Sequence, residues 1–329
     1  MSAHVPGSGF RAAWWIRSPH AQTLAGRYFR SRAAFPLERR RLDTPDGDFI
    51  DLDFAPEPAP GAPLVVLLHG LEGSTRRRYM SAVFRELADR GIQGVGMNFR
   101  GCGGEPNRLA RCYHSGDTGD LSHVVVRLRR SYPGRPIGAA GFSLGGNVLL
   151  KYLGTHGEQA AIGAAVAVSV PFDLPGSAER LSSGALSRTY GIRFLRSLRR
   201  KVRAKRHLLN GEADVSRVLA ARTLKDFDDA FTAPLHGFSG ADDYYAQADV
   251  RRDLPHIRVA TLLIQSRDDP FMPRGAAPEK IVAANSHLTV AFTDRGGHLG
   301  FVEGVLPWRP RFWAEREAAR FLARKLLSG

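Results

Sequence analysis

Ser143, His298 and one of two adjacent acids, Asp268 and Asp269, are the side chains on which nucleophilic chemistry could rest. A serine hydroxyl is a poor nucleophile until a base takes its proton, and an imidazole steadied by a carboxylate is such a base. Ser143 stands in Gly141-Phe142-Ser143-Leu144-Gly145, between an apolar stretch and a segment with helical spacing. Glycine at both ends suits a strand-to-helix turn too tight for side chains. Such a turn pushes the hydroxyl out above the sheet and aims the positive end of the next helix at it. The chemistry this allows is acyl transfer through a covalent ester on Ser143.

That pentapeptide alone is a weak signal, because serine and glycine are common. Three contexts strengthen it. Upstream, the apolar run Leu64–Leu68 leads into His69-Gly70-Leu71-Glu72-Gly73. Such a loop supplies one backbone N–H to an oxyanion, and the residue after the nucleophile supplies the other. Those donors are expected at Leu71 and Leu144. His69 is expected to brace this loop by hydrogen bonds rather than to act as base. Downstream, residues 260–265 (ATLLIQ) read as a buried strand followed by Ser266-Arg267-Asp268-Asp269-Pro270. Neighbours on an extended segment point opposite ways, so only one of the two acids can reach an imidazole. Last, residues 287–292 (HLTVAF) precede Gly296-Gly297-His298-Leu299-Gly300, where glycines give room to present His298. The chain order is serine, acid, histidine.

The elements that must hold these groups alternate. Residues 39–42 and 49–54 read as a hairpin about Pro45-Asp46-Gly47. Strand signals then recur at 64–68, 94–99, 137–142 and 164–170, with helices at 79–90 and 117–131 and another from Leu144. Alternation of this kind builds a parallel sheet with right-handed crossovers. About 90 residues then pass before Ala260, too many for a simple crossover. They read as helical, and the last helix as 311–327.

Further segments carry a resemblance. Arg17-Ser18-Pro19-His20-Ala21-Gln22-Thr23-Leu24 is similar to the opening of the YheT-type α/β-hydrolases, with Ser18 and Ala21 where Asn and Leu are usual. Asp46-Gly47-Asp48-Phe49, His69 to Ser74, Asn98 to Asn107, Tyr113-His114-Ser115-Gly116, Phe227-Asp228-Asp229 and Asp242 to Tyr245 resemble its later segments. The resemblance runs from about residue 14 to the end. It implies an α/β-hydrolase fold: a mostly parallel central sheet flanked by helices, with a helical cap inserted after the sixth strand. The expected division is an N-terminal extension at 1–36, a core at 37–172 and 256–329, and the cap at 173–255. In this fold family the acid commonly stands four residues before a proline, which selects Asp269 ahead of Pro273. Asp268 is then a solvated or loop-capping acid. The implied activity is that of a serine carboxylic-ester hydrolase on short- to medium-chain esters or acylglycerols. An alcohol acyltransferase with the same triad, or a membrane- or ligand-binding protein on the same fold, stands as the alternative.

Composition bounds the rest. Of 329 residues, 43% are hydrophobic and 24% charged, which is ordinary for a globular chain. No stretch approaches the roughly 20 apolar residues of a membrane span, and the five after Arg11 are too few for a signal-peptide core. Cys102 and Cys112 suggest reduced thiols in a cytoplasmic protein. The mechanism calls for no metal and no organic cofactor. The net charge of +15 is uneven: residues 174–210 hold ten basic side chains against Glu179 alone. Leu195, Leu198, Val202 and Leu209 fall on one stripe there, an amphipathic pattern. The favoured reading is a cap helix with its apolar face over the pocket and a solvated basic face. Peripheral contact with an anionic inner membrane face is the alternative, and aromatic interleaving is too sparse for nucleic acid. The loop 100–107 (RGCGGEPN) is expected to be closed by an internal Arg100–Glu105 pair.

Overall fold

The structure is a computed structural model that describes residues 9–31, 33–209 and 211–328; the first eight residues of the expected N-terminal extension lie outside it. Its sheet has eight strands in the order β1-β2-β4-β3-β5-β6-β7-β8. These are β1 (Glu38–Asp43), β2 (Phe49–Phe54), β3 (Leu64–Leu68), β4 (Gln93–Asn98), β5 (Ile137–Phe142), β6 (Ala164–Val168), β7 (Ala260–Ser266) and β8 (Leu288–Thr293). β1 and β2 run antiparallel at one edge; β4 to β8 and β3 are mutually parallel.

Continuous apolar runs suit strands covered on both faces. On β3, Leu64, Val66 and Leu68 join the cluster formed with α3 (Gly119–Ser131) and α4 (Leu144–His156). Val65 and Leu67 turn the other way, toward α2 (Arg78–Ala88) and the C-terminal helix Trp313–Leu326. The period of two therefore makes a three-layer molecule. A first helix, α1 (Pro19–Tyr28), starts with Ser18 accepting from the Ala21 amide and Pro19 in its first turn. It lies outside those layers, against the segment around His298.

Between β6 and β7 the chain is helical, including α5 (Leu174–Ser182) and α6 (Ala185–Lys205) and reaching a helix at Ala241–Ala248. These helices gather their own apolar cluster around Leu195, Val202, Phe227, Phe231 and Tyr244. The expected stripe on α6 faces that cluster. Its polar side departs from expectation, because two of its lysines are not free in solvent. Lys205 is 3% exposed and donates to Asn107 Oδ1 at 2.9 Å and to the carbonyls of Ala110 and Arg111 at 3.0 Å. Lys201 reaches Glu72 at 2.7 Å. Both tie the helix to loops of the sheet.

The loop 100–107 also differs from the sequence expectation. Arg100 does not pair with Glu105, which stands out in solvent beside Arg41 at 3.1 Å. Instead the guanidinium is buried among Asp46 (2.7 Å), Asp48 (3.1 Å) and Asp120 (2.7 Å). A short internal pair would have left the buried Asp48 and Asp120 without an ion-pair partner among the described residues. Burial opposes the Asp46 carboxylate, but Arg100 and Thr44 outweigh it and hold its pKa at about 2. Arg100→Met should lower the unfolding free energy by about 3–5 kcal/mol, as expected when one partner of a buried ionic cluster is removed. Urea denaturation followed by circular dichroism reads this; a loss below about 1 kcal/mol would mean that the carboxylates find other partners.

Candidate active site

Ser143 sits at the turn from β5 to α4 with φ 54° and ψ −122°. A non-glycine residue there is strained, so neighbours must impose the conformation. Gly145 shows how: a Cβ on it would stand 2.5 Å from the Leu68 carbonyl oxygen and 2.6 Å from that of His69. Only glycine lets α4 start so close to the end of β3. The Ser143 amide is fixed to the Val168 carbonyl at 2.8 Å. Among the described residues, four other non-glycine residues have positive φ: Glu72, Ser169, Leu299 and Phe301. All lie in loops at the same strand ends.

The structure brings together the three side chains singled out from sequence. Ser143 Oγ is 3.0 Å from His298 Nε2. His298 Nδ1 is 2.8 Å from Asp269 Oδ2. Asp269 is 4% exposed, and its other oxygen accepts from the Phe271 amide at 2.9 Å. With Nδ1–H donating to the carboxylate, Nε2 is left to accept the serine proton. The Phe271 ring lies on the imidazole, centroids 4.1 Å apart at 21°. Asp268 turns away, because the chain leaves β7 in a turn at residues 267–268 rather than as the extended segment expected. It accepts from the Gly297 amide at 2.9 Å and from Ser266 Oγ, so it caps the histidine loop.

Leu71 and Leu144 both line the cavity that holds Ser143 and His298. Among the described residues, neither backbone N–H donates to a protein acceptor. His69 has no room to act as base. Its Nδ1 donates to the Gly70 carbonyl at 2.8 Å, and its Nε2 accepts from the Phe99 amide at 3.3 Å. Both ring nitrogens are spent on the loop, and burial lowers its pKa to about 4.

Two sets of supporting residues were not found from sequence. Thr23 Oγ1 accepts from the His298 amide at 2.9 Å. Gln22, fully buried, spans the same loop: Nε2 donates to the Ile16 and Val302 carbonyls at 3.0 and 3.2 Å, and Oε1 accepts from the Val302 amide at 2.7 Å. The Gln22-Thr23 pair in the opening motif was the available signal, but its partner loop is 275 residues away. Glu72, next to Leu71, is the second. It accepts from Lys201 Nζ at 2.7 Å, Ser197 Oγ at 2.5 Å and Tyr113 OH at 2.9 Å. The loop carrying one expected oxyanion donor is thereby fastened to α6.

Two chambers meet at Ser143. One, of about 540 Å³, runs beneath the helices between β6 and β7 and is lined by Leu174, Leu181, Val202, Phe231, Phe271 and Met272 among others. The other opens toward α1, α2 and the outer side of α6.

Comparison with known proteins places this geometry. A family model described as alpha/beta hydrolase fold matches residues 63–305. YheT of Escherichia coli, whose name carries the word esterase, is 38% identical over 300 residues, 90% of this chain and 87% of that protein. Phospholipase ABHD3 of Mus musculus is 31% identical over 300 residues, 89% of this chain and 73% of its own. Among solved structures, an esterase of Pyrococcus furiosus superposes with a TM-score of 0.57 at 19% identity, covering 89% of this chain and 94% of that one. That likeness concerns the fold. Among the described residues, no helix is long and apolar enough to cross a membrane.

Buried titratable groups lie deeper in the first chamber. His114 and His236 are in ring contact at 4.5 Å, and burial lowers the pKa of each to about 4. Asp228, under Tyr245 and Thr232, is raised by burial to about 6. With His69 this sets three histidines with lowered pKa against one acid with a raised one. Between pH 6.5 and 4 the unfolded chain binds protons on the histidines that the folded chain refuses, so their contribution is complete above 6.5 and lost on acidification. Asp228 acts oppositely: its contribution is complete below about 3.8 and lost as pH rises through 6. Three groups outweigh one, so Tm should fall steadily from pH 6.5 to 4. Melting curves across that range check it, and a flat profile would contradict the neutral histidines.

Proposed function

The chain belongs to the alpha/beta hydrolase family, and on that premise we propose that it cleaves carboxylic esters through an acyl-enzyme on Ser143. It is an esterase- or lipase-type hydrolase by family. The observation that carries the finer reading is the continuous chain from Ser143 Oγ to His298 to Asp269, at 3.0 and 2.8 Å.

His298 Nε2 takes the hydroxyl proton as Ser143 Oγ attacks the ester carbonyl carbon. The carbonyl oxygen becomes an oxyanion and meets the unengaged amides of Leu71 and Leu144, each such donor being worth about 3–4 kcal/mol in comparable sites. Asp269 holds the imidazole in the Nδ1–H tautomer and stabilises its cation. The tetrahedral species collapses, the C–O bond to the alcohol breaks, and His298 returns its proton to the leaving oxygen. Water then attacks the acyl-enzyme, again losing its proton to His298, and the acid leaves as Ser143 is restored. The apolar chamber takes the acyl chain, of short to medium length, and the helices over it keep water from the ester.

Two measurements test this reading. Ser143→Ala should abolish ester turnover, with a loss of about 10⁴-fold or more, while its circular dichroism and Tm stay those of the parent. A fluorophosphonate should add once to the wild type and not to the variant; full hydrolysis by Ser143→Ala would end the proposal. Glu72→Gln should leave KM within about twofold and lower kcat about tenfold, a fraction of the loss on deleting an oxyanion donor. Loss of stability with kcat intact would reduce Glu72 to a structural tie.

A further inference from the structure

The second chamber is the richer of the two in arginine. Arg27, Arg76, Arg77, Arg193, Arg196 and Arg200 line it together with Ser143 and His298. They come from three elements, α1, the loop before α2, and α6. Among the described residues none of the six has a carboxylate partner. Arg77 donates to the Glu72 carbonyl and Arg200 to Ser197 Oγ, and both keep most of their N–H groups free. Arg30, deeper in, is already neutralised by Glu315 at 2.6 Å. Glu72 is the one acid lining the cleft, and Lys201, Ser197 and Tyr113 consume it.

Six unpaired guanidiniums repel one another across a cleft. An anion in the cleft would relieve that repulsion, and the planar fork of arginine matches phosphate oxygens in pairs. An ester bound with its acyl chain in the apolar chamber and its carbonyl at Ser143 must send its alcohol portion into this second chamber. We infer that the alcohol portion of the substrate carries a phosphate: the arginine cleft is a subsite for an anionic leaving group, selecting acyl esters of phosphorylated alcohols over neutral esters. This rests on the reading of Ser143 as the acylated nucleophile. Leu24 and Tyr28, exposed on the same rim, would also suit a phosphate presented at a lipid surface, so the phosphate has two possible sources, a free ester or a bilayer headgroup.

The test separates binding from turnover. Ser143→Ala protein, full length, is titrated by calorimetry with octanoyl glycerol and with octanoyl glycerol phosphate, both kept monomeric. The phosphate compound should bind about tenfold more tightly at about 0.05 M salt, and this margin should shrink at about 0.5 M, because the arginines are solvent-exposed and screened. Adding Arg76→Gln, Arg193→Gln and Arg196→Gln, all surface changes, should cost the phosphate compound about tenfold more affinity than the neutral one. Equal affinities, or equal losses, would overturn the subsite. With Ser143 intact, turnover of the two monomeric esters and of anionic against neutral vesicles then assigns the source. Preference among monomers points to a free ester; preference on vesicles alone points to a headgroup. A phosphate preference in binding with neither ester turned over would fault the acyl-enzyme instead and refute the cleft's assignment to a leaving group.

Discussion

The backbone of Ser143 is the constraint around which the molecule is arranged. Its conformation is unfavourable for any residue with a side chain, and it persists only because β5, α4 and the end of β3 leave no alternative. Gly145 must be bare for α4 to begin where it does. Once α4 begins there, the Leu144 amide is left without an intrahelical partner, close to where a carbonyl oxygen would sit. The same closeness brings the 69–73 loop alongside, so the serine and both expected oxyanion donors follow from one tight contact. Strain recurs at these strand ends, at Glu72, Ser169, Leu299 and Phe301. Loops held by several strands at once can be kept in shapes that free loops would abandon.

Much of this is legible in the sequence because its causes are local. Apolar runs with flanking turns give the strands, helical spacing gives the helices, and a serine between glycines gives the elbow. The choice between Asp268 and Asp269 came from a family spacing, and the structure explains it physically. A turn at residues 267–268, just past β7, sends Asp269 to the imidazole and Asp268 back to the amide of Gly297. What stayed hidden depends on partners far away along the chain. Arg100 looked like the partner of Glu105, five residues on, yet it serves three aspartates on two other segments. Lys201 and Lys205 sat in a run that reads as a solvated face, and nothing nearby marks which two of ten basic residues turn inward. Gln22 and Thr23 carried a motif without an evident target.

The helices between β6 and β7 form an apolar cluster of their own, and polar ties fasten them to loops of the sheet. Glu72 with Lys201 and Ser197 is one such tie, and Lys205 with Asn107 and two carbonyls is another. The Ser115 amide donating to Tyr244, and Asn147 bridging the Ser115 and Ala248 carbonyls, are two more. Polar ties are directional and exchange readily with water, while the apolar interior of the cluster keeps its own shape. The helices are thus joined to the sheet as a unit with a definite seat. One of its fastenings lies beside the amide of Leu71, so the fit of that unit and the geometry at the serine are mechanically linked.

The support that α1 gives to the histidine loop has a consequence for how the protein comes into being. Ser143 and its elbow are made from a stretch that can fold as soon as β3, β5 and β6 are synthesised. His298 is added much later, and its loop is held by Gln22 and Thr23 from far upstream. A chain still emerging from the ribosome therefore presents Ser143 before His298 exists, and α1 must wait for a surface not yet made. The contact of Ser143 with His298 and Asp269 is completed late, when α1 closes over a loop made near the end of synthesis. Until then the serine stands without its imidazole partner.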